Sequence, residues 1–185
     1  MPMLLNKTRS QLLVVDVQDR LVPAMFEGER MVERSATLMQ AAQRLGVPTL
    51  VSEQYKKGLG NTVARLDNVK GDAVVMEKMH FSCADDPAMS KHVTDLAATG
   101  RNQLVICGIE THVCVIQSAL GFKQKGLDVY VVIDAVTSRA PESVAVASDR
   151  LRANGVEVVT TEMTLFEWLN IAGTPEFKEL SKLIK

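Results

Sequence analysis

The chain has 185 residues, which at about 150 residues per typical domain corresponds to a single domain. Its 21 Lys and Arg face 22 Asp and Glu for a formal net charge of −1, a balance that excludes a protein held on nucleic acid by a basic surface. Hydrophobic residues make up 46% and charged residues 23%, which excludes a disordered chain, and no apolar run approaches the roughly 20 residues of a membrane span.

In chain order, Gln11–Asp16 is the first predicted strand. A helix follows, marked by Val32, Ala36, Met39, Ala42 and Leu45 at three- and four-residue steps and closed at Gly46-Val-Pro48. Val47–Ser52 is the second strand. The stretch Glu53–Asp72, with Gly58-Leu59-Gly60 and Gly71, reads as a loop holding at most a short helix. Ala73–Lys78 is the third strand, and Asp86-Pro87 reads as an N-cap followed by Pro at the first helical position. Gly100 ends that helix before the strand Gln103–Gly108. A helix over Val115–Lys125 carries Val115, Ala119 and Phe122 on one face and stops at Gly126. Leu127–Asp134 is the fifth strand; Val144, Ala147 and Leu151 mark a helix ending at Asn154-Gly155, and Val156–Thr160 is the sixth strand. The tail, 163–185, has two amphipathic pieces, Leu165, Trp168, Leu169 and Ala172, then Phe177, Leu180 and Ile184 beyond Pro175, which pack on this domain or on a neighbour's. Most strands are apolar at successive positions, as strands covered on both faces are. The alternation predicts a three-layer α/β/α domain, Rossmann-like, with a six-stranded mostly parallel sheet. MPMLLNKTRS lacks the apolar core of a signal peptide, and three cysteines are no disulfide framework, so the expectation is a soluble cytoplasmic protein.

Ligands of open parallel sheets bind beyond the carboxyl ends of the strands. Asp16 closes the first strand, Lys78 closes the third, and Cys114 follows the fourth after a short turn. An acid, a base and a thiol thus reach one sheet edge from three separate segments. Taken singly, each has a plainer alternative: a buried filler cysteine, an aspartate serving as an N-cap or pairing Arg20, and a snorkelling strand-end lysine. Thr111 is the expected N-cap of the helix carrying Cys114, which places the thiol where the helix dipole favours thiolate. His80 shares the face of Lys78 if strand geometry continues. His112 cannot pair with Cys114, because helical neighbours two apart do not face each other. Cys107 reads as core; Cys83, in FSCADD, reads as a loop residue, with lining the site as the lesser alternative. The three histidines lack metal-ligand spacing, and neither GxGxxG nor a P-loop occurs.

With these residues placed, the chain resembles the isochorismatase-like cysteine hydrolases over essentially its whole length. The resemblance rests on LLVVDVQDRL, EKMHFS, VICGIETHVCVIQSA and VVIDAVTSR; SEQYKKGLGNTV and FKELSKLIK resemble in particular the small isochorismatase-domain proteins of unassigned substrate. It implies a homo-oligomer and an Asp–Lys–Cys triad, matched here by Asp16, Lys78 and Cys114. It also implies a cis peptide at Ile109–Glu110 and an oxyanion hole formed by the N–H groups of Glu110 and Cys114. True isochorismatases lack the nucleophilic cysteine, so Cys114 points to the amidase-like branch. Nicotinamidases carry an Asp-x-His metal cluster where this chain has Ser52-Glu53-Gln54-Tyr55, so neither a catalytic metal, another cofactor nor nicotinamide as substrate is expected.

The expected reaction is hydrolysis of a small amide, carbamoyl or related C–N bond through a thioester on Cys114. Tyr55, His80, Phe81 and Trp168 are the expected pocket residues, by position. The partner is a small molecule, with no nucleic acid and no membrane. Two rivals remain at this point: a catalytically silent oligomeric scaffold, and a redox-responsive protein in which Cys114 condenses with Cys83 or Cys107.

Overall fold

The structure, a computed structural model, describes residues 4–184; the first three residues of MPMLLNKTRS and Lys185 of the tail lie outside the described residues. Six strands form one sheet: β1 (Ser10–Val15), β2 (Thr49–Gln54), β3 (Val74–Lys78), β4 (Gln103–Ile109), β5 (Asp128–Thr137) and β6 (Glu157–Val159). Their order is β3-β2-β1-β4-β5-β6, and every pairing is parallel. The helices are α1 (Gly28–Leu45), α2 (Lys56–Leu59), α3 (Ala64–Asp67), α4 (Pro87–Ala98), α5 (Ile116–Gln124), α6 (Pro141–Ala153), α7 (Thr161–Leu169) and α8 (Pro175–Leu180).

The apolar runs are continuous because both faces of the central strands are covered. Along β1, Leu12 and Val14 face one layer while Leu13 and Val15 face the other. The first layer holds α1, α7 and α8 through Met31, Leu38, Met39, Leu165, Trp168 and Leu180. The second holds α4, α5 and α6 through Met89, Val93, Phe122 and Leu151. Each such buried side chain contributes roughly 1.5–3 kcal/mol of transfer free energy. The tail packs on its own chain, and Arg44 of α1 fastens α8 through Glu176 and Glu179 at 3.3 and 2.7 Å.

The sheet is less covered at its two margins. Neighbouring Val74 and Val75 of β3 point to opposite faces and are both exposed. At the far side β6 pairs only with Tyr130–Val132, so β5 runs on beyond it to Thr137. Asp134 is therefore inside β5 rather than at its end. There its Oδ1 accepts from the N–H and hydroxyl of Thr161 at 2.7 and 3.0 Å, capping α7 from the neighbouring strand. The Glu53–Asp72 link holds two one-turn helices, α2 and α3, where at most one was expected. A buried carboxylate pins it: Glu53 accepts from the Thr62 N–H and hydroxyl at 2.8 and 2.9 Å and from Lys56 at 2.8 Å.

The winding reverses between β1 and β4. From β1 the chain steps outward through β2 to β3, then crosses back to β4 on the other side of β1. The carboxyl ends of β1 and β4 thereby diverge into a crevice, the usual ligand position in such sheets.

Candidate functional site

At that crevice β1 ends on Asp16, whose backbone is left-handed (φ 52°) and whose side chain is almost wholly buried. A non-glycine residue in this region is held there by its surroundings, and such positions concentrate at functional sites. The Asp16 N–H donates to the Ser52 carbonyl at 3.1 Å, and the Ser52 hydroxyl donates back to Asp16 Oδ1 at 2.6 Å. The other carboxylate oxygen, Oδ2, accepts from Lys78 Nζ at 2.7 Å. Lys78 is no snorkelling lysine: its side chain is 0% exposed, and it donates a second bond to Gln54 Oε1 at 2.6 Å. Gln54 is fixed in turn, since its N–H donates to Gln18 Oε1 at 2.8 Å and its side-chain amide to the Met79 carbonyl at 2.9 Å. Three neighbouring strand ends, β1, β2 and β3, thus build one buried polar network.

The fourth strand end delivers the thiol. Gly108 makes this approach possible: at its φ of 112° a Cβ would lie 2.1 Å from the Val15 carbonyl oxygen, so only glycine lets β4 cross so close to β1. The Ile109–Glu110 peptide is cis, and the chain then enters a π-turn over Thr111–Val115 that leads into α5. The N–H groups of Val113 and Val115 both donate to the Glu110 carbonyl, at 3.0 and 3.2 Å, while that of Cys114 between them does not. Among the described residues the Glu110 N–H has no acceptor. Thr111 is not the expected N-cap. It is the first residue of the turn, makes no capping bond, and its buried Oγ1 has no hydrogen-bond partner.

Cys114, 7% exposed, lies within the fields of the Asp16 carboxylate and of the Lys78 ammonium. Burial and then Asp16 push its thiol well above the ordinary range, with Lys78 pulling the other way. The helix-dipole expectation of a resting thiolate is therefore overturned, because desolvation and a carboxylate outweigh the helix end. Burial also opposes the charge of Lys78, but Asp16 and the two nearby thiols outweigh it, and the ammonium pKa is raised. Cys83 is the second of these thiols. It is completely buried against Ser52 and Ser118, and burial, then Asp16, push it up to about 11. Cys107 lies in the core, pushed up to about 12 by burial.

Sequence reasoning brought Asp16, Lys78 and Cys114 together and weighed Cys83 as a loop residue, but passed over Ser52 and Gln54. The strand-end rule applied to β2 would have found Ser52 and Gln54. Of the expected pocket residues, Tyr55, His80 and Phe81 lie on loops at this edge and are exposed; the Tyr55 N–H donates to the Lys78 carbonyl at 3.0 Å, and His80 lies 3.8 Å from Asp86. Trp168 is excluded from the pocket. It is buried in the α1 layer and donates its indole N–H to Ser10 at 2.9 Å, the first residue of β1, at the opposite edge of the sheet. Glu110 directs its carboxylate to Arg139, whose Nε donates to it at 2.9 Å.

Known proteins match this arrangement at several levels. The Isochorismatase domain family matches residues 10–163. The secreted isochorismatase effector Isc1 of Phytophthora sojae is 39% identical over 179 residues, covering 95% of this chain and 84% of its own. Isochorismatase domain-containing protein 2 of Danio rerio is 35% identical over 183 residues, covering 97% and 89%. Among solved structures, the MAR1 ribonuclease of Caenorhabditis elegans superposes with a TM-score of 0.89 at 32% identity, over 97% of this chain and 91% of its own. The YcaC gene product of Escherichia coli, an octameric hydrolase of unknown specificity, gives 0.91 at 26% identity, over 100% and 90%. No helix among the described residues is long and apolar enough to cross a membrane. The sheet order, the site at its switch point and these relatives agree: the chain belongs to the isochorismatase family and has its hydrolase fold.

Proposed function

We propose that this chain is a single-domain cysteine hydrolase that cleaves a small amide, carbamoyl or related C–N bond, with Asp16, Lys78 and Cys114 as its triad. The observation that carries the reading is the Asp16 carboxylate. One oxygen is held by Lys78 at 2.7 Å and the other by Ser52 at 2.6 Å, and it lies against the Cys114 thiol. Because the thiol pKa is raised, no thiolate is stored. The proton must leave as the nucleophile attacks, and Asp16 is the base positioned to take it.

In the first step the Cys114 sulfur bonds to the carbonyl carbon and its proton passes to Asp16. The oxyanion is held by the N–H groups of Glu110 and Cys114; one such donor is typically worth ~10²–10³ in rate. Asp16 then protonates the leaving amine as the C–N bond breaks; a water, deprotonated by Asp16, attacks the thioester, and Asp16 returns that proton to the Cys114 sulfur as the C–S bond breaks. Lys78 stays charged throughout and holds the carboxylate in place between steps. The near-closed approach to Cys114 favours a small substrate, with Tyr55, His80 and Phe81 at the mouth.

The near-neutral charge argues against nucleic acid as substrate, whatever the name of the nematode neighbour. Three free thiols fit a reducing, cytoplasmic setting. The uncovered faces of β3, continuous with exposed Met79 and Phe81, favour association with further copies of the chain. The test is alkylation of each cysteine against pH, resolved by peptide mass. Asp16→Asn removes a group that raises the Cys114 pKa and is expected to move its profile to lower pH; Lys78→Ala removes a group that lowers it and moves the profile up. If both variants leave Cys114 unmoved, the silent-scaffold reading replaces the hydrolase.

A further inference from the structure

Among the described residues one buried side-chain polar atom lacks any hydrogen-bond partner, and it is Thr111 Oγ1. Thr111 is completely buried. A hydroxyl left in this state costs about as much as a lost hydrogen bond, so buried polar groups are nearly always paired and an exception calls for a cause. Valine has almost the same shape and would remove the cost, yet threonine stands here. Its place suggests why. Thr111 lies between Glu110, whose N–H has no acceptor among the described residues, and Cys114, whose N–H does not join those of Val113 and Val115 on the Glu110 carbonyl. The orphan hydroxyl therefore adjoins the Glu110 N–H, a second polar group without a partner among the described residues, in the turn that carries Cys114.

We infer that the Thr111 hydroxyl is a third donor for the bound acyl group, unpaired in the free enzyme and satisfied by the oxygen of the tetrahedral adduct on Cys114. This rests on the cysteine-hydrolase reading. A site built this way discriminates in favour of a tetrahedral carbon bearing an anionic or hydroxyl oxygen, since only such a ligand relieves the orphan.

A small aldehyde, propionaldehyde, is the probe. The Cys114 S–H adds across its C=O bond: sulfur bonds to carbon, the C=O π bond breaks, and the thiol proton passes through Asp16 to the oxygen, giving a hemithioacetal without a leaving group or redox change. Its formation is read as protection of Cys114 from methyl methanethiosulfonate, located by peptide mass, because thiolation by that reagent builds no charge on a carbonyl oxygen. Thr111→Val is expected to raise the half-protecting aldehyde concentration about tenfold, with the thiolation rate in the absence of aldehyde unchanged; Thr111→Ser restores protection. The melting temperature of Thr111→Val stays level or rises, since no native bond is lost. Unchanged protection in Thr111→Val overturns the inference, as does a fall in its melting temperature, which would give the hydroxyl a structural bond. Absence of protection in the unsubstituted protein removes the cysteine-hydrolase reading itself, and this inference with it.

Discussion

Asp16 divides its carboxylate between the Lys78 cation and the Ser52 hydroxyl, and the share of the cation can be measured by itself. Replacing Lys78 with Met leaves the carboxylate buried and unpaired, which is expected to cost about 3–5 kcal/mol in urea unfolding. Adding Asp16→Asn to Lys78→Met removes the stranded charge, so the double variant should recover part of that loss, and the cycle isolates the pair. The buried thiols predict a separate effect of pH. Cys83 and Cys107 hold their protons to higher pH folded, about 11 and about 12, than the ~8.5 of an unfolded thiol. A raised folded pKa means the native state binds more protons between the two values. Stability is therefore complete below pH ~8.5 and falls above it, at up to about 1.4 kcal/mol per pH unit per thiol. Thermal melts from pH 8 to 11 would show it, and Cys107→Ala should flatten the slope. Asp16, Lys78 and Cys114 were legible as candidates because each closes or follows an apolar run. Cys83 was not, because the path of its loop is written in no periodicity.

At the scale of elements, two positions carry more than their size. Asp86 caps α4 with Oδ1 accepting from the N–H groups of Ala88 and Met89, both at 3.1 Å. Asp86→Ala should cost about 1 kcal/mol, read as a shift in urea midpoint with unchanged slope. Gly108→Ala forces a side chain into the Val15 backbone and should cost well over 3 kcal/mol or abolish folding, judged by circular dichroism of the expressed variant. The strands and long helices could be read directly, since periodicity two and periodicity 3.6 differ over a dozen residues. The helices α2 and α3 could not: four residues make barely one turn, and Glu53 rather than propensity organises them. Trp168 shows another limit. The spacing of Leu165, Trp168 and Leu169 says which face of the tail helix is buried, but not at which edge of the sheet it lands. For Thr111, composition favoured a cap, and the π-turn that displaces it leaves no mark in the residue pattern.

For the whole molecule, the proposed association rests on the open side of β3, where Val74 and Val75 are exposed. Sedimentation should give a mass above that of one chain. Val75→Lys, a charge on that side, should shift the distribution toward the single chain; an unshifted distribution would move the association elsewhere on the surface.

The strand order also has a consequence in time. β1 is made first yet lies third in the sheet, and its second neighbour, β4, begins only at Gln103. At about 5–20 residues per second of synthesis, one flank of the central strand waits several seconds for its partner. Through that interval Asp16 is an ordinary aspartate, and Cys114, once made, is an ordinary accessible thiol until α5 docks. The nascent chain is therefore open to oxidation and to aggregation in a way the finished one is not. Refolding from urea should accordingly give a yield that rises with added reductant and with dilution.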